Sequence, residues 1–161
     1  MEEHIPIILA LFTTGGALIG AILGTLVTHR REVRFKKMDL IASAYKVATA
    51  RIESLYRIRR RSSNPEYKEA DTMNIRDELH NMQQDTEYYT TMLKLESKEL
   101  GERYEKLIET IRIKTGSKMK HAWETEGNIS GNNEDTFDIA LIEREKESFL
   151  DAARKFTKKC I

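Results

Sequence analysis

The side chains that could do chemistry are few and scattered. His80 follows Asp77 and Glu78, with Gln84 and Glu87 one and two helical turns further on. On a helix, that spacing gathers polar groups onto neighbouring rows, as a metal site requires. Di-metal bundles need Glu-x-x-His on two helices. Three residues before His80 stands Asp77, and three before His121 stands Lys118, so neither matches. The expectation for His80 is a solvated helix face. The chain has no HExxH, no paired cysteines, no EF-hand loop, no Gly-rich loop followed by Lys-Ser/Thr and no nucleophile elbow. Its single cysteine, Cys160, forms no internal disulfide and lacks the three following residues of a prenylation box. The chain therefore reads as non-enzymatic, with no catalytic residue, metal ligand, cofactor or small-molecule substrate.

Cations offer a second kind of chemistry. Arg57, Arg59, Arg60 and Arg61 are dense enough to suggest phosphate binding, but no aromatic residue interleaves with them. They also fall where a helix should end, and the helix dipole favours cations there. Nucleic acid is not the expected partner. From His29 to Arg61 there are eleven Lys/Arg against three Asp/Glu; from Ser62 to Ile111 there are six against twelve. Two readings fit: a basic helix lying beside acidic ones, or a basic surface held near anionic lipid.

Residues 5–28 organise the rest. This stretch carries no charge, and twelve of its residues are Leu, Ile, Val or Phe. As a helix it would run about 36 Å, enough to cross a hydrocarbon core about 30 Å thick with some tilt. It reads as a single transmembrane helix. The leader, residues 1–4, is acidic, unlike the basic start of a cleavable signal. Residues 29–37 form a basic juxtamembrane segment carrying Arg30, Arg31, Arg34, Lys36 and Lys37. Cytoplasmic flanks carry such an excess, so the N-terminus is expected outside and the body in the cytoplasm at the cell (inner) membrane. Those five cations are the expected contacts with anionic lipid.

Within the span, Gly16, Gly20 and Gly24 recur every four residues, with Thr28 next in the row. Ala17, Ala21 and Thr25 form a second small row. Tandem GxxxG spacing lets two backbones approach closely in lipid. Three readings remain open: a plain anchor, a homo-oligomer, or packing against another membrane protein.

The remainder, residues 38–161, reads as a cytoplasmic antiparallel helical bundle of three to four helices. Met38, Ile41, Tyr45, Ala48, Ile52 and Leu55 share one helix face, and the pattern starts so early that the span runs into it. Ser62-Ser63-Asn64-Pro65 ends that helix. A second helix carries Ile75, Leu79, Met82, Thr86, Tyr89 and Leu93. A break near Leu95-Glu96-Ser97 precedes a third with Leu100, Tyr104, Leu107, Ile108 and Ile111, although one register would also run on through Gly101. After Gly116 the signal weakens, with at most a short turn at Met119, Ala122 and Trp123. Residues 127–134 read as a flexible loop. A last helix from about Asp135 or Thr136 would bury Phe137, Ala140, Leu141, Phe149, Ala152, Ala153 and Phe156.

The stretches GGALIGAILGTLVTHRREVRFKK, DLIASAYKVATARIESL and LKLESKELGERYEKLIETI together resemble a loose class of bacterial and phage-borne membrane proteins. These have one N-terminal span, an immediate basic helix and a cytoplasmic helical bundle. The resemblance implies that architecture and no particular activity. The leading expectation is an all-α, single-pass interaction or assembly platform. The alternative is an effector that perturbs the bilayer when its span oligomerises.

Overall fold

The structure is a computed structural model that describes residues 5–61, 64–124 and 139–159, with side chains from residue 24 onward. The described residues are all-helical. Four helices follow one another: α1 (Ile5–Arg59), α2 (Pro65–Glu96), α3 (Lys98–Glu124) and α4 (Ile139–Lys159). α1 packs on α2 and α3, and α3 packs on α4, while α1 touches α4 least. The C-terminal half of α1 thus joins α2, α3 and α4 in an up-and-down bundle.

Each turn has a local cause. Asn64 sits in extended backbone, and its Oδ1 accepts from Glu66 N at 3.1 Å, capping α2. Pro65 follows at the first helical position, where its missing N–H costs nothing. Ser97 is the only residue between α2 and α3, and it serves both. Its N–H donates to Leu93 O at 2.9 Å, while its carbonyl accepts from Gly101 N at 3.0 Å. Its extended φ of −162° turns the chain back on itself. The expected break is therefore real, and Gly101 allows it to be tight. A Cβ on Gly101 would lie 2.7 Å from both Cα and N of Lys94, closer than any side chain could approach.

The main core combines Ile41, Ala44 and Ala48 of α1 with Leu93, Leu100, Tyr104, Leu107, Ile111, Ile142 and Phe149. Small residues on α1 let the other helices come close. The Tyr104 and Phe149 rings meet at 5.5 Å, tilted by 53°. Burying each such aromatic contributes about 1.5–3 kcal/mol. A second cluster at the far end joins Leu55, Ile58, Ile75 and Ala122, with Met119 and Trp123 against it.

Several expectations need correction. α3 does not fade after Gly116 but continues to Glu124, because Met119, Ala122 and Trp123 pack on the ends of α1 and α2. Met38 is exposed, so the buried face of α1 starts at Ile41. On α4, Ala140 and Leu141 face outward, and Ile142 and Glu145 occupy the seam with Phe149. α4 is described from Ile139. Phe137, the helix start near Asp135 or Thr136, and the loop at 127–134 lie outside the described residues. Most of the apolar stretch 5–28 also lies outside the described side chains. Among the described residues, no helix is long and apolar enough to cross a membrane.

Candidate functional site

α1 is one unbroken helix of 55 residues, about 82 Å long. The apolar stretch and the first helix of the bundle are therefore a single rod. Side chains at Ala17 and Ala21, and the surroundings of Gly16 and Gly20, lie outside the described residues. Gly24 is described, and a Cβ built there meets nothing within 4 Å. Packing within the chain thus gives no reason for a glycine at 24. Thr28 in the same row turns its hydroxyl back to donate to Gly24 O at 2.9 Å, so it presents a methyl outward.

Beyond Thr28 the rod is exposed on nearly every side. Arg30, Arg31, Arg34 and Lys36 are all exposed, with Phe35 among them at 68% exposure. Lys37 behaves differently. Its Nζ lies 3.0 Å from a Glu96 carboxylate oxygen and 4.8 Å from the centre of the Phe156 ring. It ties α1 to the C-terminal ends of α2 and α4, so it serves the bundle rather than standing with its four neighbours.

The arginine cluster is divided by the fold. Arg57 pairs with Glu78 of α2. Arg60 Nε donates back to Tyr56 O at 3.2 Å. Arg61 is buried and donates to Trp123 O at 2.6 Å. A cleft of about 720 Å³ beside them includes Glu53, Asp71, Asp77 and Glu78 in its wall. Four carboxylates in that wall offset the arginines, which weakens any pull on a phosphate backbone.

A second polar cleft, about 680 Å³, opens between α1, α2 and α3. Arg51 and Arg112 line it together with Thr86, Thr90 and Gln83. Burial, and then the nearby Arg112 cation, push the Arg51 pKa below its usual value. Glu87, Glu105 and Glu109 stand in the same wall, and Glu105 accepts from Lys94 at 2.9 Å. The cleft is thus balanced in charge. Sequence reasoning missed it because its residues come from three helices with no common motif. Nearby, Tyr104 is fully buried, and its hydroxyl has no hydrogen-bond partner among the described residues. Burial raises its pKa, and the Arg51 charge only partly opposes this.

His80 is exposed, with its Nε2 3.0 Å from Gln84 Nε2. Asp77 and Glu78 turn toward the arginine cleft instead. Among the described residues, no three His, Cys, Asp or Glu side chains converge as metal ligands. No protein-family model matches this chain, and no curated protein or solved structure matches it either.

Proposed function

We propose that this chain is a single-pass membrane protein whose helical body is a non-enzymatic assembly platform at the cytoplasmic membrane face. Residues 5–28 cross the bilayer, with the acidic leader outside. The Gly16/Gly20/Gly24 row packs against a second copy of the span. The observation that carries this reading is the unbroken course of α1 from Ile5 to Arg59. A helix that enters the bilayer must satisfy its backbone internally, and a continuous rod does so through the boundary. Leu26 and Val27, both more than half exposed at the end of the apolar stretch, support it further. A bilayer would cover them, whereas water would not. The open space beside Gly24 leaves room for a second backbone.

The test is the oligomeric state of the full chain in nanodiscs, beside a Gly16→Ile/Gly20→Ile/Gly24→Ile variant. A defined oligomer that becomes a monomer in the variant is the expected result. A monomer in both would reduce the span to an anchor. An oligomer unaffected by the substitutions would move assembly to the bundle. Extraction of the protein from membranes by alkaline carbonate would overturn the spanning reading itself.

A further inference from the structure

The bundle has two ends, and they differ. Lys37 fixes which parts of the chain share the end nearest the apolar stretch. Through Glu96 it brings the α2–α3 corner to its own level, and through Phe156 it brings the last turns of α4 there. That end therefore carries more than the juxtamembrane segment. At the corner, Leu95 is 76% exposed, the most exposed large apolar residue described. The neighbouring Lys98 side chain is 87% exposed, reaching only weakly to Glu102 at 3.8 Å. On α4, Lys155 and Lys158 are exposed and make no ion pair among the described residues. Of the acidic groups at this end, Glu96 pairs with Lys37, Asp151 with Arg154 and Glu102 with Lys98, leaving Glu32, Asp39 and Glu99.

One exposed leucine is ordinary on a protein surface, but Leu95 shares this end of the bundle with the weakly paired Lys98 and with Lys155 and Lys158, a combination that fits an anionic headgroup layer. We propose that the α2–α3 corner and the C-terminal turns of α4 form a second lipid-contact surface. It would rest on the same leaflet from which α1 emerges. This rests on the reading that residues 5–28 span the bilayer.

The distances allow it. Lys37 lies nine residues past Thr28, about 13 Å along an upright helix. The headgroup layer occupies about 5–8 Å of that. The remaining gap is within about one Debye length at physiological salt, so the lysines feel the surface potential. The apolar stretch is also longer than the hydrocarbon core, which favours tilt. Because α1 is unbroken, tilting the span carries the bundle with it and lowers one side onto the bilayer.

The experiment uses the full chain with Cys160→Ser, reconstituted in vesicles of phosphatidylcholine alone or with added phosphatidylserine. A fluorophore is attached through Leu95→Cys at the corner or, as a far-end control, through Tyr67→Cys. Quenching by acrylamide, which is uncharged, reports exposure to water. The expected result is about fivefold slower quenching at position 95 when phosphatidylserine is present, with no change at position 67. Lys155→Glu/Lys158→Glu should remove the difference. Equal quenching in both lipids, with the protein still resistant to alkaline extraction, would overturn this proposal alone. Release by alkaline extraction would overturn the spanning reading and this proposal with it.

Discussion

Arg61 holds Trp123 twice. Its Nη2 donates to the Trp123 carbonyl at 2.6 Å, and its guanidinium lies over the indole, 5.1 Å from the ring centre. Arg76 of α2 approaches the same ring at 5.7 Å. The last turn of α3 is thus fastened to the end of α1, far away in sequence. A charge-assisted hydrogen bond contributes about 1.5–3 kcal/mol and a cation–π contact about 0.5–1 kcal/mol or more. Arg61→Ala should therefore destabilise the bundle by roughly 2–3 kcal/mol. Trp123 is the only tryptophan, so its emission should move to longer wavelength before the rest of the bundle unfolds. Unshifted emission and unchanged stability would show that the contact is incidental.

Two glycines within α3 should respond oppositely to alanine. Gly101 lies against Lys94, where a Cβ would meet the side-chain Cγ and, behind it, the backbone Cα and N at 2.7 Å, which a change of rotamer cannot move aside. Gly101→Ala must push α2 and α3 apart at the corner, at a cost of about 1–3 kcal/mol. Gly116 has nothing within 4 Å of the same position and sits inside the helix. Gly116→Ala should stabilise by about 0.5–1 kcal/mol, since glycine loses more freedom on folding. Chemical denaturation of the two variants side by side checks both signs.

Glu145 occupies the seam of α4 with 7% of its side chain exposed, and its carboxylate meets Lys106 Nζ at 3.1 Å. Lys106 itself is 56% exposed, so it can find water while Glu145 cannot. Lys106→Ala would strand a buried carboxylate and should cost roughly 1–3 kcal/mol. Glu145→Leu removes the buried charge and leaves a solvated lysine, so it should be close to neutral or stabilising. Thermal unfolding that ranks the leucine variant below the alanine variant would refute this account.

Helix periodicity made most of the bundle readable in advance. The faces of α2 and α3 stand as the spacing of apolar residues implied, and the break between them falls at Ser97, within the stretch expected to hold it. The misses share a physical origin. Glu145 lies on a buried face because one long cation reaches it, and a pattern built on apolar residues passes over it. α3 outlasts Gly116 because tertiary packing of Ala122 and Trp123 outweighs the weak local propensity there. Lys37 reads as one cation among five, and only the return of α2 and α4 to its level separates it from the others. The Arg51–Arg112 cleft needs three helices to exist at all, so no local window could contain it.

Tyr104 should make stability depend on alkaline pH in a way that phenylalanine would remove. Its ring packs on Phe149, and its hydroxyl is buried without a hydrogen-bond partner among the described residues. Burial raises its pKa above the unfolded value of about 10. The neutral phenol is thus favoured in the folded state. Its contribution is intact below about pH 10 and is lost as pH climbs toward the folded pKa, because the unfolded chain releases the proton first. Near pH 8, Tyr104→Phe should be neutral or stabilising by up to about 1 kcal/mol, since an unsatisfied hydroxyl leaves the core. Between about pH 10 and pH 11.5 the advantage of the variant should widen. Arg51, whose lowered pKa acts with the opposite sign, is present in both chains and largely cancels from the comparison. Urea unfolding of the two proteins at both ends of that range measures the difference directly. A gap that stays constant with pH would mean that the phenol reaches solvent or a partner when the proton leaves.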